Sequence, residues 1–189
     1  MSYDSAATRT RLLDAAYEEF SLRGLAGARV DRIATAAKAN KQAIYAYFGS
    51  KEELFDAVLA ARLTVLADTV PFTADDLPRY IGTLFDALVA APDLMRLTRW
   101  RRLERGNAVP GEVESHAAKA RDLRTAMDLP DDRTAIDILA IVVAMASAWL
   151  DMPVGLRASG PSSSKRLRAH REVLVMAVQA ICNAVAEPR

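Results

Sequence analysis

Apolar residues in this chain recur at spacings of three and four and nowhere alternate with period two. The pattern predicts helices throughout and no strand. Leu13, Ala16, Tyr17 and Phe20 mark the inward face of a first helix near 5–22, closed by Gly24. Val30, Ile33, Ala34 and Ala37 form a second, short stripe, followed by a turn at Lys38 and Ala39. Asn40 suits an N-cap, because its amide oxygen can accept from the free N–H groups of the turn that follows. In the next helix Ile44, Tyr47 and Phe48 fall on one side by their spacing, and Lys41, Gln42 and Tyr45 on the other. Gly49 can end it in the left-handed conformation. Ser50 and Glu53 make a capping box that starts a fourth helix at Lys51, with Leu54, Phe55, Val58 and Leu59 inward.

Beyond Pro71 the punctuation is by proline and acidic or hydroxyl caps. Thr73, Asp75 and Asp76 precede a helix to about Ala90, and Pro92 opens one to about Arg105. Gly106 and Asn107 end it, and Pro110 opens another to about Met127. Asp131 and Asp132 cap a helix that ends near Pro153. Residues 153–164 are rich in Gly, Pro and Ser and read as a loop, and a last helix runs from about Lys165 to Ala186.

The stretch 29–54 carries the chemistry. Two short helices meet at a tight turn and a capped helix follows at once. The second of them is short, rich in amide and phenol, and free of acid. A helix inserted into a DNA major groove needs those properties: apolar anchors on one side, with amides, a cation and phenols on the other. The residues are Arg29-Val30-Asp31-Arg32-Ile33-Ala34-Thr35-Ala36-Ala37-Lys38-Ala39-Asn40, then Tyr45-Ala46-Tyr47-Phe48, then Lys51-Glu52-Glu53-Leu54. They resemble the DNA-binding domain of the tetracycline-repressor (TetR) family over about 50 residues, including the Ala15–Gly24 segment of its first helix. Arg29 stands where the family usually has Thr, so a hydroxyl cap is missing there. Lys38 stands where the turn usually has Gly, at a cost of roughly 1 kcal/mol for a left-handed residue with a side chain. Asn40 replaces Ser.

That resemblance implies an all-α chain of two domains. Residues 1–55 would be the helix-turn-helix DNA-binding domain and 56–189 the effector-binding and dimerisation domain. It implies a regulator that binds double-stranded DNA at a palindromic operator as a homodimer and is released by a small molecule. Arg29, Tyr45 and Lys51 are expected on phosphates, which position without reading sequence. Lys41 and Gln42 are expected at base edges with Tyr47 close by, on a helix capped by Asn40.

At 189 residues there is material for one or two cores. A formal net charge of +1 does not suggest polyanion binding by bulk charge, so basic residues must act locally. The single cysteine, Cys182, excludes an intramolecular disulfide and sits in an apolar helical run as a small buried hydrophobe. No signal-peptide pattern opens the chain. The apolar run Ile138–Leu150 is too short for a bilayer and is expected to be buried in protein. These features point to a cytoplasmic protein with no membrane contact.

The middle helices carry large side chains, and the resemblance implies a small-molecule pocket there, expected among Phe85, Trp100, Met145 and Trp149. Aromatics at helical spacing are also ordinary core. The arginine-rich segment 96–105 is expected to pair with acids such as Glu112, Glu114 and Asp122. The terminal helix has one stripe of Leu167, Leu174, Val178, Ile181 and Val185, and a second of Val173, Met176, Ala177, Ala180 and Ala184. One face can pack on its own domain and the other on a partner. Leu174, Val178, Ile181 and Val185 are expected at the dimer interface, with the helix at about 133–151 beside them. Enzyme readings find no support. The only histidines, His116 and His170, lie far apart; Glu112 and His116 alone make no metal site; no phosphate loop or nucleophile elbow occurs. No cofactor is implied. The alternatives are an activator without a small ligand, or a helical adaptor that has lost DNA binding, which Arg29 and Lys38 would favour.

Overall fold

The computed structural model describes residues 2–158 and 163–186. Among these there are helices and no strand: α1 Ser2–Gly27, α2 Val30–Ala36, α3 Lys41–Phe48, α4 Lys51–Thr69, α5 Leu77–Ala90, α6 Pro92–Glu104, α7 Glu112–Ala126, α8 Asp132–Asp151, α9 Val154–Arg157 and α10 Ser163–Ala186. The all-α expectation holds. The caps form where acids and amides predict them. Asp76 accepts from the Arg79 N–H at 3.0 Å and Asp131 from the Thr134 N–H at 2.8 Å. Helix α7 begins at Glu112 rather than at Pro110, because Gly111 takes φ +80° and interrupts the chain there. The expected loop 153–164 contains the one-turn α9, and its residues 159–162 lie outside the described residues.

The chain folds as two compact units: residues through Val65 with Pro92–Val113, and Leu66–Ala91 with Glu114 onward. The expected boundary at 55/56 therefore falls inside α4, and α6 is part of the first unit.

The first unit is built on Leu12, Ala16, Phe20, Ile33, Ile44, Leu54 and Phe55, all fully buried. Leu12, not Leu13, leads the α1 stripe. Phe20 and Phe55 meet edge to face, 5.1 Å between centroids. Tyr17 lies at the margin, under the Arg62 guanidinium at 4.1 Å. The backbone leaves helical geometry at Gly24, where the first helix is expected to close, with φ +68° and ψ −179°; the helical residues beyond this kink run on to Gly27, and α6 packs into the kink. A Cβ on Gly24 would lie 2.8 Å from the Trp100 ring. Glu104 accepts from the Ala26 N–H at 2.9 Å, and Arg105 pairs with Asp56 of α4 at 2.5 Å. The arginine-rich helix thus fastens α1 and α4. Arg101 holds Glu112 through both guanidinium nitrogens, at 2.6 and 3.0 Å.

In the second unit α5 and α10 pack face to face, with α8 against both. Gly82 permits the approach, since a Cβ there would meet the Arg171 guanidinium at 2.8 Å. That guanidinium in turn binds Asp86 at 2.9 Å. Helix α8 is long and apolar enough to cross a bilayer, unlike the shorter run Ile138–Leu150 read in the sequence. Its Ala135, Ile138, Leu139, Val142, Ala146 and Trp149 are buried in the unit, although only 39% of its apolar stretch is covered, less than the expected burial all round.

Candidate nucleic-acid interface

Helices α2 and α3 form a helix-turn-helix on the first unit. Ile33 and Ala34 anchor α2, and Ile44 and Phe48 anchor α3. The turn is closed by the Ala39 N–H on the Ala34 carbonyl at 2.9 Å and the Lys38 N–H on Thr35 at 3.1 Å. Lys38 takes φ +51°, the left-handed position in which glycine is unstrained. Asn40 accepts from the Gln42 N–H at 2.7 Å, so α3 begins one residue later at Lys41. At its far end Gly49 has φ +82°, and Glu53 fills the space where a Cβ would sit. Ser50 accepts from the Glu53 N–H at 3.0 Å and its hydroxyl donates to the Glu53 carboxylate at 2.9 Å.

Lys41, Gln42, Tyr45 and Tyr47 are all exposed on α3. Spacing placed Tyr47 with the anchors; the structure puts it outside, its hydroxyl 3.0 Å from the Ser5 hydroxyl of α1. A residue three after Ile44 and one before Phe48 sits on the flank of that stripe, not at its centre. Gln42 and Tyr45 make no side-chain hydrogen bond or ion pair among the described residues. Lys41 is engaged: its ammonium lies 2.9 Å from the Asp31 carboxylate of α2. That hydrogen bond and charge push the Lys41 pKa up. Arg29 offers no side-chain cap to α2, and its backbone N–H donates to Glu19 at 3.0 Å. Its side chain is exposed, with no pairing among the described residues.

Lys51 is not simply a surface cation. Its ammonium donates to the carbonyls of Leu25 and Ala28, at 2.8 and 3.4 Å, and so satisfies the frayed end of α1. Sequence reasoning did not foresee this role, nor the Asp31 partner of Lys41. Both join residues on different helices, so no local spacing announces them.

The residues expected around a small molecule are divided between the units. Phe85 and Trp149 come together in the second, each in tilted ring contact with His170, with centroids at 5.6 and 5.1 Å. Met145 lies one turn before Trp149 on α8. Trp100 lies in the first unit against Gly24, its indole N–H buried without a partner among the described residues. His170 was noted in sequence only as isolated. Its Nε2 is also buried without a partner among the described residues, and burial together with the Arg166 charge pushes its pKa down. An open cleft of about 340 Å³ lies elsewhere in that unit, lined by Asp75, Asp76, Pro78, Met127, Gln179 and Cys182.

On α10, Leu174 is 4% exposed and Val178 0%, so both belong to the core of their own chain and not to a free face. Ile181 and Val185 are half-buried beside them. The second stripe is the exposed one: Val173 is 57% and Met176 63% exposed, and Ala169, Ala180 and Ala184 continue the line. Helix α8 exposes a similar stripe of Ile136, Ala140, Ile141, Ala144 and Ala148.

Known proteins place this geometry. Residues 12–58 match the family model of bacterial regulatory proteins of the tetR family, and residues 76–179 match the tetracyclin repressor-like C-terminal domain. The chain is 43% identical over 157 residues to the HTH-type transcriptional repressor SCO4008 of Streptomyces coelicolor, covering 79% of this chain and 82% of that one. It is 35% identical over 128 residues to the HTH-type transcriptional repressor NicS of Pseudomonas putida, covering 62% of this chain and 55% of that one. The crystal structure of SCO4942 from Streptomyces coelicolor superposes with a TM-score of 0.76 at 38% identity, over 92% of this chain and 97% of that one. With both family models matched in sequence and the helix-turn-helix in place, the chain belongs to the TetR family and is a DNA-binding transcriptional regulator, not an enzyme.

Proposed function

We propose that this regulator is a cytoplasmic, homodimeric repressor of a palindromic operator, released by a small molecule bound in the second unit. The observation that carries the reading is the outer face of α3. It presents Lys41, Gln42 and Tyr45 to solvent on a helix locked by the Asn40 cap and by Ile44 and Phe48. Gln42 can pair with adenine and Lys41 with guanine O6 and N7 in the major groove. Arg29 and Tyr45, both exposed, are the proposed phosphate contacts, while Lys51 serves the backbone of α1 first. The relatives SCO4008 and NicS are both named repressors, which supports that direction of control.

Two copies related by a two-fold axis present two α3 helices, and such a pair reads two half-sites about one helical turn apart. The exposed stripes of α8 and α10 are the face proposed to join them. The effector is an apolar body with one hydrogen-bonding group, received beside Phe85 and Trp149, whose rings contact His170, and its polar group meets the His170 Nε2, which has no partner among the described residues. A buried polar atom without a partner is costly, and a ligand that satisfies it gains accordingly. Ligand binding shifts a two-state equilibrium only by its differential affinity for the two states. The chain passes from α5, which carries Phe85, into α6 through Ala91 alone, and α6 grips the kink of α1. A displacement of α5 is thereby covalently tied to the unit that holds α3.

The test is selection of bound fragments from a random DNA pool. An inverted repeat is the expected outcome; enrichment of single, unrepeated sites would overturn the dimeric reading. Screening apolar compounds for release of the selected DNA tests the effector. In a Trp100→Phe protein the remaining Trp149 emission should change with release. A compound that releases DNA while leaving that emission unchanged binds elsewhere.

A further inference from the structure

Asp31 is the only acidic residue between Arg29 and Lys51. It stands in the first turn of α2, 71% exposed, and its carboxylate reaches across to the Lys41 ammonium at 2.9 Å. A carboxylate on a surface that meets a polyanion weakens binding to every DNA, so its presence there calls for a compensating role.

We propose that Asp31 is a specificity-determining residue: it holds Lys41 in a pair that operator bases can open and non-cognate phosphates cannot. The inference rests on the reading of Lys41 as a base-edge contact. The chemistry is an exchange. Lys41 begins α3, where the positive end of the helix dipole disfavours a cation, and Asp31 offsets that. An exposed ion pair is weak and its side chains remain solvated, so a strong new acceptor displaces the carboxylate readily. Guanine O6 and N7 offer two acceptors in one plane. On unrelated DNA the available partner is a phosphate. A phosphate attracts the ammonium more strongly than a neutral base does, but reaching it brings the Asp31 carboxylate against the anionic backbone, and that repulsion offsets the gain. The lysine is therefore kept from adding a sequence-independent contact, the kind that makes up non-specific affinity.

The Asp31→Asn protein removes the carboxylate while keeping size and hydrogen bonding. Its binding should be measured with full-length protein on two probes: a fragment selected by the wild type from a random pool, and an unrelated fragment of equal length. Affinity for the unrelated fragment should rise, with a salt slope steeper by about one unit as Lys41 gains a phosphate. Affinity for the selected fragment should change little, so the ratio of the two should fall roughly fivefold or more. Asp31→Glu, which keeps the charge, should preserve most of the ratio. A proportional rise on both probes, or no change on either, would overturn the proposal, because either would reduce Asp31 to general repulsion or to a surface pair. Lys41→Gln separates this from the reading beneath it. Loss of preference in Lys41→Gln but not in Asp31→Asn refutes the role of Asp31 alone. Unchanged preference in Lys41→Gln refutes base reading by Lys41 and this inference with it.

Discussion

Gln42 stands on the outer side of α3 with no side-chain hydrogen bond among the described residues, so its amide has none of these to exchange before it meets a base. Gln42→Ala should therefore relax preference at one position per half-site, at a cost of about 1–3 kcal/mol on the preferred sequence. Competition binding against single-base variants of a selected site checks this; an unaltered preference profile would show that the sequence is read elsewhere. Glu19 is the opposite kind of residue, one whose whole function is internal. Its carboxylate accepts from Arg32 Nε at 2.8 Å and from the Arg29 N–H at 3.0 Å, and Arg23 lies 3.4 Å away. Burial pushes its pKa up, but the Arg32 and Arg29 hydrogen bonds and the two guanidinium charges outweigh it and hold it below the ordinary carboxylate range. A carboxylate depressed in the folded state contributes stability that is present above its unfolded pKa and lost as pH falls through its folded one. Glu19→Gln should cost roughly 1.5–3 kcal/mol at neutral pH, and the difference from wild type should shrink under acid conditions below that range. Urea titrations at pH 7 and pH 3 decide it, since a gap of equal size at both would exclude the linkage.

At the scale of elements, α6 is the one whose allegiance matters most. It fastens α1 by two means, Trp100 in the Gly24 kink and Glu104 on the Ala26 N–H, and Arg105 just beyond its end ties α4 through Asp56. Gly24→Ala combines a left-handed residue with a collision 2.8 Å from the indole, and should cost roughly 2–4 kcal/mol. Gly27→Ala is the control, since its Cβ would meet nothing nearer than 3.4 Å. Equal stability of the two variants in denaturant would mean that α1 and α6 separate without loss. Much of the helical layout was legible before any coordinates. Asn40, Ser50, Asp76 and Asp131 announce helix starts through chemistry that acts within three residues, and apolar spacing finds the faces of α4 and α5. What spacing cannot supply is a choice between near-equal neighbours or a partner distant in sequence. Leu12 and Leu13 are adjacent leucines, and only the packing of α1 selects the first. Trp100 reads as one more large side chain of the middle helices, yet its contact is 76 positions back at Gly24. The outer face of α3 was legible because it is local; the attachments of Lys41 to Asp31 and of Lys51 to the end of α1 were not.

At the scale of the whole molecule, the unresolved balance is apolar surface. The sequence shows more of it on the last long helices than one bundle can hide, and the structure divides it. Leu174 and Val178 go inward, while Val173 and Met176 of α10 and Ile136 and Ile141 of α8 remain outside, along with exposed alanines on the same two helices. Small residues alternating with larger ones on two exposed helices allow close approach of a like pair, and a two-fold axis lets the same face serve both subunits. Left uncovered, the patch would expose several hundred Å², more than soluble monomers usually tolerate. Covered by its copy, it would form an obligate interface, a class that buries on the order of 2,000 Å² or more. The site for a disruptive charge follows from the burial pattern. Val178→Asp places a carboxylate in the monomer core and should unfold the chain, which says nothing about assembly. Met176→Asp places it on the exposed face, so the chain should keep its helical content while the proposed dimer dissociates. Operator affinity should then fall steeply, although no residue of the helix-turn-helix has changed. Sedimentation at micromolar concentration is the direct measurement. A wild-type chain that sediments as a monomer would overturn the dimer and the palindromic operator with it, and a Met176→Asp chain that remains dimeric would place the subunit contact elsewhere.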